Sequence, residues 1–113
     1  MVGMVVDKQF GPCLVFGLGG IFVEVLKDIS MRVAPVGKRD ALEMIEEIQG
    51  FQILKGFRGK PRGDVEKIID VLTRLSNLSM DLRETIKEID INPLMVYGEG
   101  QGVKVVDALV VLH

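Results

Sequence analysis

The sequence of 113 residues contains one cysteine, one histidine and no tryptophan. Because Cys13 has no second cysteine to pair with, a disulfide within the chain is excluded, which is typical of proteins from a reducing compartment. The one histidine, His113, is the last residue of the sequence. Catalytic arrangements of Ser-His-Asp or Cys-His type and zinc sites with several histidines therefore cannot be built from this chain alone. We expect Cys13 to be a buried packing residue, and the remaining chemistry to belong to oxygen ligands, glycines and basic side chains.

Long apolar runs and a strong net charge are also absent. No segment of about 18 consecutive apolar residues and no signal-peptide pattern occur, so a cytoplasmic location without a membrane partner is the expectation. The net charge is only −2, from 14 basic and 16 acidic residues, and no overall field favours nucleic acid. The chain is 48% hydrophobic and 27% charged, which is typical of a globular domain. We expect one domain over residues 1–113.

The first third of the chain is rich in short apolar segments separated by turn residues. MVGMVV (1–6), CLVF (13–16), IFVEVL (21–26) and ISMRVAP (29–35) are predicted to be strands. The connections between them are too short for a parallel crossover, so the pairing is predicted to be antiparallel.

The middle of the chain shows helical periodicity. Apolar residues recur at helical spacing in residues 39–50, where Asp40 and Glu43 resemble a capping box and Gly50 is placed to end the helix. Residues 64–80 carry a continuous apolar stripe, with Asp64 available as the N-cap.

The last segments return to strand patterns. IDINPLMVY (89–97) and GVKVVDALVVL (102–112) flank the glycine-rich loop GEGQG, which predicts a hairpin. Together the segments predict an α/β (α+β) fold in which a largely antiparallel sheet is covered by two helices.

Oxygen-bearing side chains alternate with isoleucines at the start of this hairpin. Residues two apart on a strand project from the same face, so Asp90 and Asn92 face one way while Ile89 and Ile91 enter the core. A hairpin that pairs Gly98 with Val103 would set Leu94 opposite Asp107. In that register Asp107 shares the face of Asp90 and lies one diagonal step from Asn92.

Two carboxylates and an amide oxygen converging from neighbouring strands form a set of ligands that suits a hard cation. Magnesium takes few protein ligands because it keeps water and substrate phosphates. Pro93 has no N–H and would interrupt the strand ladder just after Asn92. The alternative is that Asp90 and Asn92 are the solvent face of an amphipathic strand.

The glycines of FGLGGIFVEV match neither familiar phosphate loop. The dinucleotide-binding pattern requires a third glycine where Phe22 stands, and no Gly-Lys-Ser/Thr follows. Gly19 and Gly20 are expected to form a tight turn between two strands. The alternative is direct contact with a ligand, with Glu24 just beyond.

Four cations are concentrated in LKGFRGKPRGD, between the two helices: Lys55, Arg58, Lys60 and Arg62. Such a loop is either a solvated connection or a clamp for an anion. Arg58, between Gly56 and Gly59, is the candidate for binding a phosphate or carboxylate.

The order of these segments resembles the nucleotide-binding β component of ADP-forming acetyl-CoA synthetases. FGPCLVFGLGGIFVEVLKDISMRVAP, GFRG, EIDINPLMV and VVDA occur in the same order over nearly the whole chain. These synthetases belong to the ATP-grasp superfamily and are similar to the succinyl-CoA synthetase β subunit. The resemblance implies that Asn92 and Asp107 hold magnesium on the phosphates of ATP or ADP. Asp90 stands where the relatives have glutamate and is expected to be a third ligand.

The resemblance also implies roles for residues outside the oxygen cluster. Gly19, Gly20 and Glu24 are expected to contact the nucleotide, and Arg58 to bind it and to assist phosphoryl transfer. The chain resembles only the second lobe of an ATP-grasp unit. The first lobe, and an α-type CoA-binding component, are therefore the expected partners in a hetero-oligomer.

Two functions follow as hypotheses. The first is part of an ADP-forming acid–thiol ligase, an enzyme that converts acyl-CoA, ADP and phosphate to acid, CoA and ATP. The second is a non-catalytic assembly or regulatory module that keeps the fold without binding nucleotide.

Overall fold

The computed structural model describes residues 1–56 and 59–113. It contains seven strands and four helices in those residues. The strands are β1 (Val2–Asp7), β2 (Gly11–Gly17), β3 (Ile29–Val33), β4 (Ile86–Ile91), β5 (Leu94–Val96), β6 (Val103–Val105) and β7 (Ala108–Leu112). The helices are α1 (Ile21–Glu24), α2 (Lys38–Glu47), α3 (Phe51–Leu54) and α4 (Val65–Asp81).

The strands form a five-stranded sheet in the order β3-β2-β1-β4-β7 and a two-stranded sheet of β5 and β6. Every neighbouring pair in both sheets is antiparallel. The predicted mixed α/β fold with a largely antiparallel sheet is therefore confirmed.

The core lies between one face of the five-stranded sheet and helices α2 and α4. It is formed by alternate strand residues and by the apolar faces of the helices, namely Val2, Met4, Leu14, Phe16, Ile89, Ala41, Met44, Ile45, Ile68, Leu72 and Leu75. The other strand residues form the opposite face, which we call the open face. It carries half-exposed apolar side chains such as Val5, Met31 and Val33, together with Asp90 on β4. Asp90, one of the residues predicted to bind a cation, thus lies on the side of the sheet away from helices α2 and α4.

Helix α4 confirms the sequence prediction closely. It runs from Val65 to Asp81, and the carboxylate of Asp64 accepts a hydrogen bond from the Lys67 backbone N–H at 3.2 Å, as an N-cap does. Seven residues of this helix are buried, and they include Val65, Ile68 and Leu72 of the predicted stripe.

The predicted strand over residues 21–26 is wrong. Gly19 and Gly20 both have positive φ angles, of 86° and 54°, which turn the chain out of the sheet after β2. The Glu24 N–H then donates to the Gly20 carbonyl at 2.9 Å, closing one helical turn. The glycines therefore join a strand to the short helix α1 instead of joining two strands.

The predicted boundaries of α2 are also wrong at both ends. The helix begins at Lys38 and follows Gly37, whose N–H donates to the Asp40 carboxylate at 3.1 Å. Asp40 therefore acts from the first turn, and the proposed capping box with Glu43 does not form. The helix ends at Glu47, before Gly50, which precedes α3.

Cys13 is buried as predicted, with 7% of its surface exposed. Burial raises the pKa of its thiol, and the nearby negative charge of Asp7 raises this pKa further. Both effects favour the protonated thiol, which is unreactive as a nucleophile. Separately, no helix in residues 1–56 or 59–113 is long and apolar enough to cross a membrane.

Candidate functional site

The two sheets meet where β4 passes into β5 and β6 passes into β7. At this junction the Asn92 N–H donates to the Asp107 carbonyl and the Val106 N–H donates to the Pro93 carbonyl, each at 3.1 Å. The predicted strands over residues 89–97 and 102–112 are thus each interrupted at this junction. The hydrogen bonds between the two segments nevertheless continue across it. Asn92 and Asp107 lie directly opposite one another.

The predicted register of this hairpin is wrong by two residues. Val103 pairs with Val96 and not with Gly98, and Leu94 pairs with Val105 and not with Asp107. The loop closes earlier than predicted because the Gln101 N–H donates to the Gly98 carbonyl at 2.8 Å.

The side-chain period of a strand is also two residues. A shift of two therefore leaves Asp107 on the predicted face of the sheet. It also moves Asp107 from a position diagonal to Asn92 to a position directly opposite it, where cross-strand side chains lie about 4.5–5.5 Å apart at Cβ.

Asp90 lies on β4 between Gly3 of β1 and Leu109 of β7. Its side chain is half-buried, and its Oδ1 atom is buried without a hydrogen-bond partner among the described residues. A buried carboxylate oxygen is costly when it is unpaired, because it has lost its water. Burial lowers the pKa of the nearby Met1 ammonium and the negative charge of Asp90 opposes this shift, so Asp90 already acts on one positive group. A cation bound at Oδ1 would satisfy this oxygen.

Gly3 pairs with Asp90 and was not predicted from the sequence to belong to the site. A Cβ atom at Gly3 would lie 3.0 Å from the Ile89 carbonyl oxygen and 4.0 Å from the Asp90 Cα. Glycine therefore allows β1 to approach β4 closely at this point. A glycine inside an apolar strand is the sequence signal that could have identified it.

Gly19 places its backbone beside the amide of Asn92. A Cβ atom at Gly19 would lie 3.4 Å from the Asn92 Oδ1 atom, and Gly19 itself is buried. Of the residues predicted to contact nucleotide, Gly19 is thus brought to the oxygen cluster. Gly20 and Glu24 follow it at the start and the end of the α1 turn, and both are exposed.

We predict that Gly19→Ala strains the backbone and changes the environment of the Asn92 side-chain amide. The φ of +86° costs alanine about 1–2 kcal/mol, and the added methyl group would lie in van der Waals contact with Asn92 Oδ1, at 3.4 Å. Chemical denaturation should show the loss of stability, and NMR should show a displaced Asn92 side-chain amide signal.

Gly11→Ala is the matched control for this prediction. Gly11 has a φ of +81°, and a Cβ there would meet no atom of the described residues within 4 Å. It should lose similar stability and leave the Asn92 amide signal in place. Equal shifts of that signal in both variants would contradict the assigned contact.

Arg58 lies outside the residues that the structure describes. The end of the same loop is anchored to the tip of the β5–β6 hairpin. The Glu99 N–H donates to the Arg62 carbonyl at 2.8 Å, and their side chains form an exposed ion pair at 3.7 Å. Arg62, one of the four cations of the loop, is therefore paired within the chain.

The oxygen atoms of Asp90, Asn92 and Asp107 suit magnesium, which keeps water and phosphate ligands, better than a metal whose ligands all come from the protein. In the described part of the chain, no three histidine, cysteine or acidic side chains group into a metal centre. Asp90, Asn92 and Asp107 provide two carboxylates and one amide oxygen on a single face. A hard cation that completes its shell with water and phosphate oxygens matches this incomplete set.

Comparison with known proteins identifies a family over nearly the whole chain. The ATP-grasp domain family matches residues 1–112. The β subunit of ADP-forming acetate–CoA ligase II from Pyrococcus furiosus is 48% identical over 99% of this chain, and the β subunit of ligase I from the same organism is 55% identical over 86%. This chain covers 48% and 41% of those two proteins, so it spans about half the length of the curated β subunits that it matches.

Solved structures show the same relationship. Dinucleotide-forming acetyl-coenzyme A synthetase 1 from Ca. Korarchaeum cryptofilum, in complex with coenzyme A and acetyl-coenzyme A, superposes with a TM-score of 0.93 at 45% identity. The match covers 99% of this chain and 49% of that one. A structure of the same enzyme with coenzyme A and Mg-AMPPCP gives a TM-score of 0.92 at 45% identity, covering 99% of this chain and 51% of that chain.

Proposed function

Because the chain belongs to the ATP-grasp family and its homologues are ADP-forming acetate–CoA ligases, an enzyme family, we propose that it is the magnesium- and nucleotide-binding second lobe of such a ligase. In this proposal residues 1–113 form one lobe, and the remaining half of a β subunit supplies the first lobe. The enzyme converts acyl-CoA, ADP and phosphate to the acid, CoA and ATP.

The observation that carries the proposal is the pairing of Asn92 with Asp107. The hydrogen bond between their backbones sets the two side chains side by side on the open face. The buried, unpaired Oδ1 atom of Asp90 is two residues away from Asn92 on the same face. Three oxygen donors from two chain segments are thus available for one cation.

Magnesium bound here would neutralise negative charge on the phosphate oxygens of the nucleotide. Asp90, Asn92 and Asp107 would hold the ion. The Gly19 backbone beside Asn92, together with Gly20, would allow phosphate oxygens to approach the main chain, and Glu24 would lie at the edge of the nucleotide site.

Arg58 is proposed to offset charge on the phosphoryl group as it is transferred. Its guanidinium, with five donors in a fixed plane, suits phosphate oxygens better than a lysine does. Its place in the sequence, between α3 and α4, supports this role. The loop it belongs to is anchored at Arg62 to the hairpin that continues to Asn92 and Asp107.

The partners in this proposal are the first ATP-grasp lobe and an α-type component that binds CoA. Relatives named as β subunits support a second kind of subunit, and single-chain ligases that are far longer than this chain support a fused arrangement. A cytoplasmic location is proposed because the lone thiol of Cys13 requires no oxidising compartment.

The direct test is metal binding by a chimera in which this chain replaces the second half of the Pyrococcus furiosus ligase II β subunit. We expect Mn²⁺, used as a paramagnetic probe for magnesium, to bind the chimera with ADP. Asn92→Ala removes one ligand and should weaken Mn²⁺ binding by at least about 10-fold, because loss of a residue that only supports a metal ligand already costs about 10-fold to 100-fold.

Asp81→Ala is the control for the binding test, because Asp81 is an exposed acid at the far end of α4. It changes the net charge without touching the oxygen cluster and should bind Mn²⁺ as the unmodified chimera does. If the chimera assembles but binds neither Mn²⁺ nor ADP, the catalytic proposal fails. The non-catalytic assembly or regulatory module is then the remaining hypothesis.

A further inference from the structure

Asp64 is a buried acid whose hydrogen bonds reach beyond its role as an N-cap. Only 3% of its surface is exposed. Its Oδ1 atom accepts the Lys67 N–H at the start of α4, while its Oδ2 atom accepts the Gly102 N–H at 2.7 Å. Its own backbone N–H donates to the Tyr97 carbonyl at 2.9 Å. Asp64 therefore binds helix α4 to both strands of the β5–β6 hairpin.

Tyr97 and Gly102 are themselves a pair of the same hairpin. The Tyr97 N–H donates to the Gly102 carbonyl at 3.1 Å, which closes the hairpin next to its loop. Asp64 thus contacts the two residues that set where the ladder begins, one through its backbone and one through its side chain.

The register that begins at this pair continues without a shift to the candidate metal site. Val96 pairs with Val103 and Leu94 with Val105, followed by the Pro93–Val106 and Asn92–Asp107 hydrogen bonds. Asn92 is five residues along the strand from Tyr97, a length of about 17 Å at 3.3–3.4 Å per residue. Asp64 therefore does not touch Asn92 or Asp107, and the hairpin is the hydrogen-bonded connection between them.

The segment before Asp64 reinforces this attachment. Gly63 forms a bridge with Gly98, its N–H donates to the Leu54 carbonyl at 2.8 Å, and the Arg62 carbonyl accepts the Glu99 N–H. The tip of the hairpin is thus fixed to the end of α3 and to the start of α4.

We propose that Asp64 is a positioning residue for the candidate metal site, which holds the hairpin in the register and orientation that set Asn92 opposite Asp107. A carboxylate is required because both of its oxygens accept hydrogen bonds here, from Lys67 and from Gly102. An asparagine has one acceptor oxygen and would turn an NH₂ group toward the other N–H. The effect on metal affinity rests on the proposed function, whereas the effect on the hairpin does not.

The test is native-state hydrogen exchange of the Asn92 amide in the 113-residue chain carrying Asp64→Asn. Loss of the bond to Gly102 should loosen the hairpin and accelerate Asn92 exchange about tenfold or more relative to the unmodified chain. Asp64→Ser, which keeps a good N-cap but is too short to bridge both partners, should accelerate Asn92 exchange similarly with a smaller loss of global stability.

Ser76→Ala is the matched control. Ser76 is also buried, and its hydroxyl accepts the Val36 N–H at 2.7 Å, far along α4 from the hairpin. The comparison is made under conditions in which circular dichroism shows all variants to be folded. Ser76→Ala should accelerate Asn92 exchange only as far as its own loss of global stability explains. If losses of global stability also explain the Asn92 exchange rates of Asp64→Asn and Asp64→Ser, Asp64 acts only as the N-cap of α4 and the inference is wrong.

A second measurement links the hairpin to the metal. In the chimera, Asp64→Asn should raise the Mn²⁺ dissociation constant about tenfold, and Ser76→Ala should leave it within about twofold. Unchanged affinity in Asp64→Asn would overturn positioning of the metal site. If the unmodified chimera itself binds no Mn²⁺, the proposed function fails, and the exchange experiment still decides the role of Asp64 in the hairpin.

Discussion

Asp107→Ala is expected to lower ATP formation by the two-lobe chimera, assembled with the partner subunit of the Pyrococcus furiosus enzyme, by roughly 100-fold to 1000-fold. This is the range seen when one group that stabilises transition-state charge is removed, and Asp107 would supply such a group indirectly, by holding the cation. Asp107 faces Asn92 across the junction and is exposed on the open face, where its carboxylate would hold the cation against the phosphates.

The measurement is the rate of ATP formation from acetyl-CoA, ADP and phosphate over a range of magnesium concentrations. If Asp107 holds the ion, excess magnesium should recover part of the lost activity by refilling a weakened site. Asp81→Ala should retain the activity of the unmodified chimera at every magnesium concentration. A rate for Asp107→Ala within about threefold of the unmodified chimera would exclude Asp107 from the site.

Leu72→Ala is expected to destabilise the chain by about 2–5 kcal/mol, the cost of removing a large side chain from a closely packed core. Leu72 is 0% exposed and lies in the middle of α4, whose apolar stripe packs against β1 and β2. Since domains of this size have a free energy of unfolding of about 5–15 kcal/mol, one substitution would remove a large part of it.

Leu78→Ala provides the comparison within the same helix. Leu78 is 42% exposed, so the same change of side chain removes little buried surface and should cost under about 1 kcal/mol. Urea unfolding followed by circular dichroism measures both values. Equal losses for the two variants would show that the apolar stripe does not face the core as described.

The local patterns of the sequence were most informative where one face of an element is buried. The predicted stripe from Val65 to Leu78 identified α4 and its N-cap, because a helix with one apolar face is specified by spacing within a few residues. Its last member, Leu78, is 42% exposed, so the stripe extends beyond the buried part of the helix. The alternation of Ile89 and Ile91 with Asp90 likewise identified which side of β4 faces the core.

The predictions failed where distant contacts outweigh local preference. Residues 21–26 have the apolar, β-branched composition of a strand, but the backbone of Gly19 and Gly20 turns the chain out of the sheet, and residues 21–24 form α1. The Asp28 carboxylate then accepts the N–H groups of Gln49 and Gly50, each at 2.7 Å, which ties this turn to the end of α2. Composition within the segment contains no information about such a partner.

The sequence by itself determined that oxygen-bearing side chains lie on one face of a strand, that two helices cover the other face, and that the segment order resembles that of the ATP-grasp family. These properties follow from short-range periodicity and from the linear order of motifs. Only the tertiary structure decided that Asp107 lies opposite Asn92, that Asp90 Oδ1 is buried without a partner in the described residues, and that a Cβ at Gly19 would lie 3.4 Å from Asn92 Oδ1. Each of these depends on how strands distant in sequence pair and pack, because a shift of two residues in the hairpin leaves the alternation unchanged while it changes which side chains meet.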